Sequence, residues 1–95
     1  MNIKDLHTPG KLVSAVSIFK NEGSHSISIR ILKDEILKEH ITKVPALLFC
    51  FEGNALFENE HGLSETLWPG DYIQIEPFVK HWVKGMEESQ LLLIK

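Results

Sequence analysis

Gly70-Asp71-Tyr72-Ile73-Gln74-Ile75-Glu76-Pro77-Phe78-Val79-Lys80-His81 is the stretch on which the fold turns. A Pro69-Gly70-Asp71 turn feeds a short β-rich run, Tyr72–Ile75, and Pro77 then turns the chain back toward His81, Trp82 and Val83. Such a layout can place an imidazole at the mouth of a sheet. Working backward, Leu63–Trp68 and Ala55–Glu58 flank the polar turn Asn59-Glu60-His61-Gly62, which reads as a hairpin. Ala46–Phe51 is apolar on both faces, as a strand buried on each side requires, although a short buried helix would look the same locally. Ser26–Ile31 alternates Ser or Arg with Ile at a period of two, the clearest strand in the chain, and Asn21–Ser24 makes the turn that separates it from Leu12–Phe19. Forward, Leu91–Ile94 closes the sequence. The count is eight or nine short strands, an all-β domain.

One segment dissents. Asp34 is an acceptable N-cap, Glu35 lies in the first turn, and Leu37, Ile41 and Val44 fall at i, i+4 and i+7, so local signals over Asp34–Lys43 favour a helix slightly over a strand, with Pro45 as its stop.

Length and charge bound the rest. Ninety-five residues allow one core and one domain, 1–95. Ten Lys and Arg against thirteen Asp and Glu, evenly spread, leave no basic stripe for phosphates, so nucleic acid is set aside. No apolar run approaches the roughly 20 residues of a membrane span, and Met1–Gly10 has no apolar signal core. With neither membrane nor leader in the reading, the lone Cys50 makes the cytoplasm the expected compartment.

Two histidines stand out. His40 comes six residues before the doubly apolar strand, and His81 ends the Gly70 stretch. Around them the chain resembles the cupin family. The first motif of that family, G(X)5HXH(X)3-4E(X)6G, lies on Asp34, His40, Thr42, Ala46 and Gly53, of which His40 and Gly53 match. The second, G(X)5PXGXXHXXXN, lies on Gly70, Glu76, Phe78, His81 and Gly85, of which Gly70 and His81 match; Asp71 agrees with the usual Gly-Asp opening, and Pro77 sits one place late. The sixteen residues between Gly53 and Gly70 are the spacing of short cupins. The resemblance implies a small antiparallel β-barrel, a double-stranded β-helix of the RmlC-like jelly-roll type, over 26–95, with 1–25 as an N-terminal extension carrying an extra strand. On it Asp34–His40 becomes turn plus strand, and Asp34, in a glycine position, tolerates a left-handed backbone better than most residues.

The functional expectations follow from the matches and the departures. Metal-binding cupins bring together three histidines and a carboxylate; here Thr42 and Ala46 replace one histidine and the carboxylate. A divalent transition metal, the one cofactor the resemblance implies, would find His40, His81 and water, a weak site. The first functional reading is therefore a small-molecule ligand near His40 and His81, with Thr42, Leu48, Phe78 and Trp82 as lining and Ala46, Leu48 and Cys50 as an apolar floor, set against side chains that simply fill the barrel. The second is a metal-dependent oxygenase or isomerase using His40 and His81 as ligands. The third is a dimeric interaction module with a filled barrel, recognisable by an exposed apolar patch away from the mouth. A homodimer is expected by analogy with short cupins and from the edge strand at Leu12–Phe19. His7, His25 and His61 receive no role, and Cys50 is read as an inert core thiol.

Overall fold

The computed structural model describes residues Met1–Lys95. A short 3-10 turn, Ile3–Leu6, is followed by nine strands: β1 (Val13–Lys20), β2 (His25–Ile31), β3 (Ile36–His40), β4 (Ala46–Glu52), β5 (Ala55–Asn59), β6 (Ser64–Leu67), β7 (Tyr72–Ile75), β8 (His81–Gly85) and β9 (Ser89–Ile94). They form two antiparallel sheets, β1-β2-β9-β4-β7 and β3-β8-β5-β6, packed face to face as a jelly roll. The alternation in Ser26–Ile31 survives as Ile29 and Ile31 buried against the other sheet, and Ala46, Leu48 and Cys50 share that inward face on β4. Opposite them stand Ala55 and Phe57 of β5 and Val83 of β8.

The helix expected over Asp34–Lys43 does not form; residues 36–40 are strand β3. Asp34 adopts φ 67°, the left-handed conformation that its place in the family pattern anticipates, and sits in a turn closed by the Glu35 N–H donating to Leu32 O at 3.1 Å. A left-handed residue cannot serve as an N-cap, which needs extended backbone. Asp34 N–H donates to Gly85 O at 2.7 Å and Gly85 N–H to Glu35 O at 2.9 Å, so pairing with β8 takes the backbone groups a helix would have used. Tertiary pairing outweighs a weak local preference.

Further along, Trp68-Pro69-Gly70-Asp71 is a type II turn: Gly70 has φ 97°, and Asp71 N–H donates to Trp68 O at 2.8 Å. Gly70 N–H reaches Cys50 O at 2.8 Å, and the Cys50 N–H reaches Asp71 O at 2.9 Å, which pins the start of β7 beside β4. The N-terminal residues lie across the outer face of the five-stranded sheet. There His7 is buried, with its Nδ1 2.8 Å from Ser14 Oγ and its Nε2 2.8 Å from Ser28 Oγ, and Arg30 donates to Thr8 O at 3.0 Å. Nothing in the polar run around His7 signals this burial; the two serines that receive it come from the alternating faces of β1 and β2.

Candidate site at the paired imidazoles

β3 and β8 are antiparallel neighbours, and the register places His40 directly opposite His81. A slip between Leu37 and His40 rotates His40 back to the inner face, so both rings point between the sheets. Their centroids are 4.5 Å apart at an interplanar angle of 64°, an edge-to-face contact. On its other side His81 stacks on Phe57 at 5.6 Å. His81 is 2% exposed, whereas His40 is partly open to solvent.

Hydrogen bonding fixes the protonation pattern of the pair. His40 Nδ1 lies 2.8 Å from Lys38 O, and His81 Nδ1 lies 3.2 Å from Val79 O. A carbonyl only accepts, so each Nδ1 carries a proton, and in a neutral ring the Nε2 presents a lone pair. Burial, chiefly, pushes the His81 pKa below its ordinary 6.5; the Val79 carbonyl opposes this, while His40 and Lys95 add to it. His81 is therefore neutral at pH 7.

Of the expected lining, the structure brings Leu48 to the histidines and leaves the others apart. Leu48, His40 and His81 meet Ile29, Leu37 and Leu93 around a void of only ≈ 10 Å³, so the apolar floor of Ala46, Leu48 and Cys50 is present and covered by side chains. A second cleft of ≈ 50 Å³ borders His81 and is lined by Asn59, Gln74 and Glu76 among others. No motif marks those three in the sequence; the β5–β8 register alone sets Asn59 opposite His81. Thr42 is buried but spends its hydroxyl proton on Val44 O at 2.7 Å and lines a separate open groove with Asn21, His25 and Lys43. Trp82 stands on the outer face of β8, its indole N–H donating to Glu58 Oε1 at 3.2 Å, because alternation along a strand sends neighbours of an inward histidine outward. Phe78 is 67% exposed, with φ 64°, and its N–H donates to Thr42 O at 2.8 Å. It occupies the glycine position of the second motif and keeps the left-handed backbone that position calls for.

The fold implies a metal at this place, and the donor set does not fit one. Two imidazoles are available, the Thr42 hydroxyl is engaged elsewhere, Ala46 has no donor, and no group of three or more His, Cys, Asp or Glu side chains is disposed to hold an ion. No helix is long and apolar enough to cross a membrane.

No family model and no curated protein matches the chain. Solved structures do. A cupin superfamily protein from Desulfitobacterium hafniense superposes with a TM-score of 0.86 at 14% identity, covering 98% of this chain and 84% of that one. A cupin-2 domain protein from Shewanella frigidimarina gives 0.79 at 17% identity over 100% and 92% of the two chains, and KdgF from Halomonas sp. gives 0.80 at 15% over 95% and 87%. Likeness across nearly the whole chain at such low identity is a statement about backbone. With the two-sheet topology and the His40–His81 register, it shows that this chain has the cupin fold.

Proposed function

We propose that the protein binds a small molecule through a hydrogen-bond donor presented to the paired imidazoles of His40 and His81. The single observation that carries this reading is the commitment of both Nδ1–H groups to backbone carbonyls in two imidazoles whose centroids are 4.5 Å apart, which leaves the Nε2 of the buried His81 ring as an acceptor next to His40. Such a pair favours a hydroxyl, an ammonium or a water over an anion. The ≈ 50 Å³ cleft, which His81 lines and His40 does not, accommodates about one or two water-sized groups, so the donor reaches the pair from the His81 side and the body of the ligand stays at the rim. Asn59, Gln74 and Glu76 supply polar partners there. A lone, buried cysteine suits a reducing compartment, and we place the protein in the cytoplasm on that ground.

The test is nitrogen-15 NMR of the imidazoles during titration with a panel of small alcohols, amines and diols. Binding shifts the Nε2 resonances of both histidines, and His81→Ala abolishes it. If no panel member shifts either ring, the reading falls. Near-stoichiometric Mn, Fe, Ni or Zn in protein exposed to those ions, lost in His40→Ala, would replace it with the metal-dependent alternative.

A further inference from the structure

Residues 1–11 are tied to the outer face of the five-stranded sheet by polar contacts, and one side chain dominates the tie. The register lines up Ser14, Arg30, Gln90 and Glu52 as a row across β1, β2, β9 and β4. The segment lies along that row: Arg30 donates to Thr8 O at 3.0 Å and to Lys11 O at 3.3 Å, and Lys4 Nζ pairs with Glu52 Oε1 at 2.7 Å. These contacts are open to solvent, where an ion pair contributes little. Only His7 of the segment is buried, at 5% exposure. Its Nδ1 and Nε2 each lie 2.8 Å from a serine hydroxyl, Ser14 on β1 and Ser28 on β2. A hydroxyl both donates and accepts, so the two serines satisfy a neutral imidazole completely, one ring nitrogen donating and the other accepting. The base of the segment is anchored separately, by the Leu32 N–H donating to Leu12 O at 3.0 Å. Gly10, at φ 93° with open space around its Cα, supplies a hinge just before that anchor.

We infer that residues 1–11 form a strap latched by His7, which lifts from the sheet when His7 takes up a proton and so uncovers the row of Ser14, Arg30, Gln90 and Glu52. The charges around the seat drive release. β1 presents Ser14 and no titratable group, β2 presents Ser28 and the Arg30 guanidinium, β9 presents Gln90, and β4 presents Glu52, which Lys4 already neutralises. Within the strap Lys4 and Lys11 add positive charge, and its one carboxylate, Asp5, is exposed and makes no bond to the ring. A seated imidazolium would thus be desolvated, beside a fixed cation and without an acidic partner. Burial, chiefly, already holds His7 below its ordinary 6.5, and Arg30 adds to the effect. Hydration favours release further. In the row on which the strap lies, Arg30 Nε and Gln90 Oε1 are buried and find no partner in the protein, and lifting returns both to water. Below pH 6.5 the lifted strap binds a proton that the seated one refuses, so the ratio of lifted to seated rises by up to about tenfold for each unit of pH. The sheet survives the change, because no strand pairing passes through residues 1–11. The latch lies on the outer face, away from His40 and His81, and stands independently of any role for them.

Heteronuclear 1H–15N NOE measurements between pH 7.5 and 5.0 test it, with the amides of β2, β4 and β9 as reference. In the wild type, residues 3–8 are as rigid as the strands at pH 7.5 and become mobile with a midpoint below 6.5, while the strand resonances persist. His7→Ala keeps the strands and leaves residues 3–8 mobile at every pH. His7→Gln, neutral throughout, removes the pH dependence. A strap that stays ordered down to pH 5.0 overturns the proposal, as does one lost only together with the strands. Order at pH 7.5 in His7→Ala would show that the latch lies elsewhere, and a transition that persists in His7→Gln would assign the proton to another group; either result overturns it equally.

Discussion

Gly53→Ala measures how tightly the site's framework is closed. Gly53 has φ 81° in the β4–β5 turn, and a methyl group there would run into the backbone carbonyl of Glu88, come within 2.7 Å of Ser89 Oγ and within 2.9 Å of Ser89 Cα. The neighbours cannot step aside, because Ser89 Oγ lies 2.7 Å from Asn54 O and 2.8 Å from Glu87 O, and Met86 N–H donates to Asn54 O at 3.1 Å. Two costs add. Left-handed backbone disfavours a non-glycine residue by about 1–2 kcal/mol, and overpacking against backbone adds about 1–3 kcal/mol. Restricting the unfolded chain returns about 0.4–1 kcal/mol, for a net loss of about 2–4 kcal/mol. Gly62 is the internal control: its φ is 86°, but nothing lies within 4 Å of a methyl group, so Gly62→Ala loses only about 1 kcal/mol. Urea unfolding followed by the fluorescence of Trp68 and Trp82 gives the comparison directly. With a slope of about 1.5 kcal/mol per molar, Gly53→Ala lowers the midpoint by about 2 M and Gly62→Ala by less than about 1 M. Equal shifts for the two variants would show that the β4–β5 turn is not pressed against β9, and the packing argument would fail.

The remaining predictions concern buried titratable groups. Burial pushes His7 and His81 below 6.5, with Arg30 adding to the effect on His7, so the unfolded chain takes up protons that the folded one refuses. Their contribution is intact above pH 6.5 and drains as pH falls below it, at no more than about 1.4 kcal/mol per pH unit for each histidine; stability measured by urea at pH 7.5, 6.5 and 5.5 should fall along that slope, and His7→Ala should flatten it by about half. A flat profile would contradict the burial of both rings. Burial likewise pushes the Cys50 thiol up, with Asp71 adding and the backbone at Glu52 opposing, so thiol reagents at pH 7 should label it only at the rate of unfolding. Rapid labelling of the native protein would place Cys50 at the surface.

Much of the architecture was legible because it rests on alternation and turn chemistry. The period of two in Ser26–Ile31 and the Pro-Gly-Asp turn at 69–71 report local backbone, and both appear where the residues place them. Residues 34–43 were not legible locally: their helical spacing is real, but the choice was made by Gly85, more than forty residues away, through the two hydrogen bonds that fix Asp34 and Glu35. The facing of His40 and His81 followed from their places in the resemblance and needed the slip in β3 to be realised. Side-chain direction was the hardest part. Trp82 and Phe78 are near His81 in sequence, yet one points outward by strand alternation and the other is turned away by a left-handed backbone. The outer face of the five-stranded sheet was invisible as a unit, since its rows are assembled from β1, β2, β9, β4 and β7 and only the pairing order brings them together.

That pairing order also governs how the molecule comes into being. β9, the final strand in sequence, is not an edge but the middle member of its sheet, hydrogen-bonded to β2 on one flank and β4 on the other. Until Ser89–Ile94 has been synthesised, the hairpin of β1 and β2 and the pair of β4 and β7 have nothing to join them, so the sheet cannot assemble progressively on a growing polypeptide. Acquisition of the native state is thus a late, concerted event dominated by long-range closure, of the kind that proceeds slowly for a chain this short.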